Sequence, residues 1–585
     1  MKKSKILKAV ARVTALMLVL GMVTTGCTKP VEKEVTPSKQ EAVEEIEKTH
    51  SASKRDAIGM NGMVAAATPE ATQVGVDILK KGGNAIDAAV ATGFALGVLE
   101  PNASGLGGGG FMMVRFAETG ENVFIDFREM APQKATADMY ELDADGKPVN
   151  REYEVGAKSI AVPGEVAGLL TALEQYGTMK REEVMNPAIE YAERGFEASD
   201  VLCSIIEKKF DVISQFDSTS KLYLDDGLPL EAGHKIVNKD LANTLKVISK
   251  EGKDGFYKGE IAKKIVEEVQ KHGGIITQDD LANYEVKMRE PVVGTYRGYE
   301  IVSAPPASSG GTHVIELLNI MENYDMKDLG FNTANSWHAW AEGMKMMYAD
   351  RGKYMADTDF VKVPLDGLVS KDYAKKQFER IDMNKSMEGV EAGEPWKYES
   401  GSTTHYSVVD KDGNMVAVTK TINHFFGSGV TVSGAGILLN DEMADFTIQP
   451  GNSNSIEPKK RPLSSMSPTF ILKDQKPIAT LGTPGGKRII TTVALIISNM
   501  IDYGMDIQEA IDAPRINHYE SGQLKIEGRI PQEIRDELTN KGHDIDVKGD
   551  YDLYFGGAQG VTINEDTGEL HGGADPRRDG QAIGY

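Results

Sequence analysis

An α+β fold is what this sequence predicts, and three stretches predict it: two capped helical segments between Thr68 and Leu99, extended runs after a glycine loop at 105–110, and a hairpin from Ser402 to Thr421. At 585 residues the chain exceeds what one hydrophobic core usually holds, and 41% hydrophobic with 26% charged residues is an ordinary globular balance. Asp and Glu outnumber Lys and Arg by 87 to 65, a net charge of −22, so the basic footprint that nucleic-acid phosphates require is absent and no nucleic-acid partner is expected. Two cysteines, Cys27 and Cys203, support neither a disulfide scaffold nor a thiolate metal site.

The chain opens with a basic run (Lys2, Lys3, Lys5, Lys8, Arg12) and an apolar stretch from Val13 to Val23, too short for a bilayer span. Residues 1–26 therefore read as an export signal. Val23-Thr24-Thr25-Gly26-Cys27 resembles the lipobox of bacterial lipoproteins, which makes Cys27 a lipidation candidate and the membrane surface or the extracellular space the expected location. Residues 27–58 are polar, rich in Glu and Lys and free of aromatics, the composition of a tether.

From Gly59 the texture is that of a packed domain. Thr68-Pro69-Glu70 starts a helix that Gly82-Gly83 closes, and Asn84 with Asp87 three residues on caps a second, almost wholly apolar helix. Gly105 to Gly110 then precede strands at Phe111–Val114 and Val123–Arg128, and so many glycines imply a backbone that approaches something closely. The stretch 150–400 shows amphipathic segments without a functional constellation, and Pro305 to Gly311 reads as a turn feeding a helix through Met321.

After Ser402 the residues alternate, and Asp410-Lys411-Asp412-Gly413 supplies a type I turn before Met415–Thr421 resumes as a strand. A three-residue loop with Gly413 left-handed places Asp410 opposite Asn414 and hence Thr403 opposite Thr421, with Asn423 just beyond on the same face. Downstream, Leu481-Gly482-Thr483-Pro484-Gly485-Gly486 leads into an apolar helix from Ile489, where backbone N–H groups are offered to an anion or a developing oxyanion. Competing motifs fail. Gly482 to Lys487 lacks the spacing and the Ser/Thr of a phosphate loop, no His is followed by Glu as in zinc-protease helices, and no Gly-x-Ser-x-Gly elbow occurs.

The blocks GMVAAATPEATQVGVDILKKGGNAIDAAVA, LGGGGFMMV, DFREMAP, SIAVPGEVAGL, TTHYSVVDKDGNMVAVT, GILLNDEM, KRPLSSMSPT and TPGGKRIITT resemble the gamma-glutamyltranspeptidase family, in that family's order. The resemblance implies a four-layer αββα sandwich of the N-terminal-nucleophile hydrolases. It further implies a precursor that cuts itself between Ser402 and Thr403 into a large subunit, 59–402, and a small subunit, 403–585, which stay together. Thr403 is then the nucleophile and its new α-amine the local base, a role suited to an amine of reference pKa about 7.7–8.0. Thr421 matches the residue bonded to the nucleophile, and Gly485 and Gly486 match the oxyanion-hole amides. Arg128 matches the clamp on the substrate α-carboxylate, Asn423, Glu442 and Asp445 the seat of the α-ammonium, and Ser464 and Ser465 hydroxyls at the carboxylate end. Glutathione, glutamine and γ-glutamyl peptides are the implied donors, water, amino acids or peptides the acceptors, and no metal or cofactor is required.

One departure stands out. Between Asp445-Phe446 and the KRPLSS block runs only TIQPGNSNSIEPK, where many relatives carry a longer insert with an aromatic lid residue. An open cleft follows, which adds poly-γ-glutamate to the candidate donors. Three alternatives differ in chemistry: an acylase for β-lactam side chains or glutaryl amides, a capsule-processing transpeptidase, and an uncleaved γ-glutamyl-binding surface protein.

Overall fold

The computed structural model describes residues 55–391 and 402–585. The expected signal, Cys27 and nearly all of the expected tether lie outside the described residues. The tether ends earlier than its composition suggests, because β1 (Ala57–Gly59) pairs with a strand more than 500 residues away, against Leu570–Gly572. Three residues, Ala57, Ile58 and Gly59, are too few on a sheet edge to carry a periodicity that would reveal them.

Two seven-stranded antiparallel sheets form the centre. The first contains β2 (Gly62–Ala66), β3 (Gly109–Arg115), β4 (Asn122–Phe127), β5 (Lys287–Arg289), β8 (Ser402–Asp410), β9 (Met415–Asn423) and β14 (Gln581–Gly584), in the order β14-β2-β8-β9-β3-β4-β5. The second holds β1 with β6 (Val292–Tyr296), β7 (Tyr299–Ser303), β10 (Thr469–Lys473), β11 (Lys476–Gly482), β12 (Gln559–Ile563) and β13 (Leu570–Ala574), in the order β1-β13-β12-β11-β10-β7-β6.

Side-chain alternation shows how the layers stack. Tyr406, Val408, Val416 and Val418 share one core with α1 (Pro69–Lys80), α2 (Ala85–Leu99) and α3 (Glu165–Tyr176). Val409, Met415 and Ala417, on the opposite face, share another with Phe470, Leu481 and Val561 of the second sheet and with α4 (Gly310–Met321), α5 (Ala334–Tyr354) and α6 (Arg488–Tyr503). A period of two cannot bury one hairpin in two separate cores unless both faces are covered, so the arrangement is helix, sheet, sheet, helix.

The caps form as the sequence implies. Thr68 accepts a hydrogen bond from the Ala71 N–H, and Asn84 with Asp87 forms a reciprocal capping box. The glycine loop meets its close neighbour: a Cβ on Gly108 would stand 1.9 Å from the Thr421 carbonyl oxygen, and one on Gly107 2.1 Å from that of Leu438. Only glycine lets this loop lie against the hairpin end that carries the threonines.

Candidate active site

The hairpin turn closes with Gly413 at φ +84° and its N–H on the Asp410 carbonyl at 3.1 Å. From Val409↔Met415 to Thr404↔Lys420 the register is the one derived from that turn. It does not hold at the end. Ser402 pairs with Asn423, so Thr421 and Ile422 together stand opposite Thr403 in a β-bulge rather than Thr421 alone. Asn423 takes the extra turn at φ +71° and donates its N–H to Thr421 Oγ1 at 2.7 Å. The bulge sends the start of β8 into the cleft, where Thr403 is 3% exposed and its carbonyl oxygen accepts from Arg578 Nη1 at 2.8 Å.

One small cleft, with about 20 Å³ of free space, is lined by Thr403, Thr421, Asn423, Arg128, Glu442, Asp445, Ser464, Ser465 and Gly486. Gly485 directly precedes the last of these. Thus the structure brings together residues from β4, both hairpin strands, the 442–445 turn, the 464–465 segment and the loop before α6. No residue from 447 to 459 lines it.

Arg128 follows β4 and its guanidinium is buried among carboxylates: Glu442 at 2.7 Å, Asp445 at 2.5 Å and Glu129 at 3.5 Å. Burial alone would lower its pKa, but these three acids outweigh burial and raise it. The same burial pushes Glu129 up to about 8 and Glu442 well above the usual carboxylate range, with Arg128 pulling both back. Glu129 Oε1 and Glu442 Oε1 are buried without a hydrogen-bond partner. One guanidinium thus faces three carboxyl groups, two of them biased toward the protonated form, and two carboxyl oxygens are left without a partner. The clamp position and the ammonium-seat positions thus lie in contact with one another, so an incoming zwitterion would insert into an existing ion-pair cluster.

The backbone behind this cluster is itself fixed by charge. Asp126, fully buried, accepts the Arg128 N–H at 2.9 Å and pairs with Arg289 at 2.6 Å and Arg461 at 3.3 Å, tying the DFREMAP block to the KRPLSS block. On the floor of the hairpin, Lys420 and Glu165 form a pair at 2.8 Å with neither side chain exposed. His405, two residues after Thr403, lies between the sheets bonded to Thr419 and Ser407 hydroxyls, and burial lowers its pKa to about 3, which excludes it as a base at neutral pH.

Gly485 at φ +137° and Gly486 at φ +61° occupy backbone conformations that side chains disfavour. Neither N–H donates to an acceptor among the described residues, and both stand where α6 begins. Unpaired N–H groups at a helix N-terminus beside a hydroxyl are suited to receiving an oxyanion.

Two residues escaped the sequence. Glu129 was visible next to Arg128 in DFREM, but nothing in the pattern says it is buried. Arg351 also lines the cleft, which corrects the expectation that 150–400 contributes no functional group. It sits in α5, a helix whose residues from Ala334 to Arg351 are all buried save Asn335 and read as core.

Among the described residues, one group has metal-ligating side chains close together: His338, Glu342 and His543. Lys345 already places its ammonium on Glu342 at 2.7 Å, and the two rings bond each other at 2.8 Å with His338 Nε2 on the Asp382 carbonyl oxygen. This is a satisfied hydrogen-bond network in which a second cation would be opposed by Lys345.

A four-layer sandwich with a threonine at the second position of a central strand, unpaired N–H groups at a helix start and a buried charge cluster is the arrangement of an N-terminal-nucleophile type of hydrolase. The chain belongs to the gamma-glutamyltranspeptidase family, whose model matches residues 71–585. It is 46% identical over 539 residues to the glutathione hydrolase proenzyme of Escherichia coli (strain K12), covering 90% of this chain and 92% of that one. It is 40% identical over 554 residues to the corresponding proenzyme of Bacillus subtilis (strain 168), covering 92% and 94%. A crystal structure of cephalosporin acylase from Bacillus halodurans superposes with a TM-score of 0.83 at 31% identity, over 92% of this chain and 98% of that one.

Proposed function

We propose that the protein is a self-processing γ-glutamyl hydrolase and transferase with Thr403 as nucleophile. The observation that carries this reading is the charge cluster beside Thr403: one arginine among three acids, with two serine hydroxyls adjoining, suits a group bearing both a carboxylate and an ammonium on one carbon.

In the precursor the Thr403 hydroxyl attacks the Ser402 carbonyl carbon, the peptide C–N bond gives way to an ester as the Thr403 α-amine is freed, and water hydrolyses the ester to leave a Ser402 carboxylate and the restored Thr403 hydroxyl. In the two-subunit enzyme that amine takes the proton from Thr403 Oγ as the oxygen attacks the γ-carbonyl carbon of a donor such as glutathione or glutamine. The N–H groups of Gly485 and Gly486 receive the oxyanion, Arg128, Ser464 and Ser465 the α-carboxylate, and Asn423, Glu442 and Asp445 the α-ammonium. Collapse expels the leaving amine with the proton from the α-ammonium of Thr403, and water or an acceptor amine resolves the γ-glutamyl ester. Residues 1–26 direct export, and lipid attachment at Cys27 with a tether would hold the enzyme near a membrane surface.

Comparing a γ-glutamyl anilide with the glutaryl anilide, which keeps the carboxylate and lacks the amine, tests this assignment. A strong preference for the γ-glutamyl donor is expected. Equal or reversed rates would favour an acylase.

A further inference from the structure

Arg351 is a buried cation that touches no carboxylate among the described residues. It is 7% exposed, lines the cleft, and among the described residues its hydrogen bonds go to hydroxyls: Nε donates to Ser309 Oγ at 2.8 Å and Nη2 to Ser465 Oγ at 2.8 Å. No carboxylate lies within ion-pair distance of it among the described residues; burial lowers its pKa, and the more distant Asp445 and Glu520 carboxylates offset that only in part. A buried guanidinium is costly unless paired, so an unpaired one next to a binding cleft has the character of a receptor awaiting an anion.

The hydrogen-bond directions carry the argument further. Ser309 Oγ, which accepts from Arg351, passes its own proton to the Ser464 carbonyl oxygen at 2.7 Å, while the Ser309 N–H reaches the same oxygen at 2.9 Å. Arg351 therefore holds the 464–465 segment from both ends. Ser465 Oγ accepts from Arg351, and Ser464 Oγ accepts from the Met466 N–H at 3.1 Å. Each hydroxyl thus has an acceptor site filled by the protein, and neither proton is committed to an acceptor among the described residues. Both protons are left to point into the cleft as donors, the arrangement a carboxylate needs.

We propose that Arg351 is a positioning residue for donor specificity: it fixes Ser465 as an obligate hydrogen-bond donor and adds a second positive charge at the α-carboxylate end of the cleft, so that the enzyme discriminates an α-carboxylate from an α-carboxamide. This rests on the γ-glutamyl reading above. Arg128 is in contact with three carboxyl groups, whereas Arg351 touches hydroxyls and no carboxylate among the described residues, so α5 adds a cation at that end whose near contacts are hydroxyls rather than acids.

The test compares a γ-glutamyl anilide with its α-carboxamide analogue on the wild-type protein and on Arg351→Met, Arg351→Lys and Ser465→Ala. Processing is checked by intact mass, so that only cleaved enzyme is assayed. Loss of a hydrogen bond to a charged group predicts that Arg351→Met raises KM for the carboxylate donor about 10- to 100-fold with kcat little changed, and leaves KM for the carboxamide within about threefold. Arg351→Lys restores part of the discrimination because it keeps the charge. Ser465→Ala reproduces the loss, and the double variant Arg351→Met with Ser465→Ala falls short of the product of the two single losses. Equal loss for both donors, or unchanged discrimination in Arg351→Met and Ser465→Ala, overturns the inference and leaves the γ-glutamyl reading standing. A cleaved wild-type protein that turns over neither donor overturns both.

Discussion

Replacing Arg128 with methionine is the sharpest perturbation of the donor pocket. The variant removes the cation from contact with Glu442 at 2.7 Å and Asp445 at 2.5 Å, and with Glu129 at 3.5 Å. Two charge-assisted hydrogen bonds to a donor carboxylate are together worth about 3–6 kcal/mol, or about 10²- to 10⁴-fold in kcat/KM. The lower end applies here, because the donor carboxylate displaces an ion pair that Arg128 already makes with Asp445. About 100-fold is therefore expected for a γ-glutamyl anilide. The fold also suffers, since removing one partner of a buried ion pair costs about 3–5 kcal/mol. That cost shrinks as pH falls, because Glu129 and Glu442 lose the group that pulls their pKa values down and take up protons instead. The assays are steady-state kinetics and denaturant unfolding at two pH values. A kcat/KM within tenfold of wild type in a folded, cleaved variant would refute the assignment of Arg128 to the carboxylate.

Other consequences are independent of that one. Glu129 titrates at about 8 when folded against an ordinary carboxylate value of 4.5, so the native state holds a proton that the unfolded chain has lost and stability falls as pH rises between those values, by at most about 1.4 kcal/mol per pH unit. Glu129→Gln should flatten that slope in unfolding experiments, and an unchanged slope would contradict the burial assigned to it. Lys420→Met leaves Glu165 buried and unpaired and should lower stability by about 3–5 kcal/mol, part of which Glu165→Gln in the same chain recovers. Gly486→Ala puts a side chain at φ +61° and shifts an oxyanion donor, so kcat should drop about 10²-fold or more while KM changes little. Because residues 447–459 line no part of the cleft, γ-linked glutamyl chains of increasing length should be cleaved at comparable rates; a steep fall with length would mean the cleft is closed beyond the first unit.

Local chemistry was legible where it is local. Thr68 and Asn84 cap helices because their side chains reach N–H groups a turn away, and Gly413 fixes a three-residue loop, so both could be read from a few neighbours. The register derived from Gly413 is right for six pairs and then yields to a bulge at Thr403, because arithmetic from a turn assumes an unbroken ladder and nothing in Thr421-Ile422-Asn423 announces the extra residue. The stacking of two sheets was implied only by family resemblance, since partners such as Ala57 and Gly572 are far apart in sequence. Of the cleft, Thr403, Arg128, Glu442, Asp445 and the serines were reached by resemblance. Arg351 was not, because an arginine in a buried helix looks like any charged residue until the hydroxyls it serves are placed next to it.

The proposed chemistry begins with the cutting of one peptide bond, between Ser402 and Thr403. Intact mass of the purified protein under denaturing conditions, with N-terminal sequencing of the smaller species and Thr403→Ala alongside, measures this directly. A fragment spanning 403–585 that begins at Thr403 is expected in the wild type and a single uncut chain in the variant. A wild-type chain that stays whole on prolonged incubation, or a fragment that begins elsewhere, would contradict that chemistry.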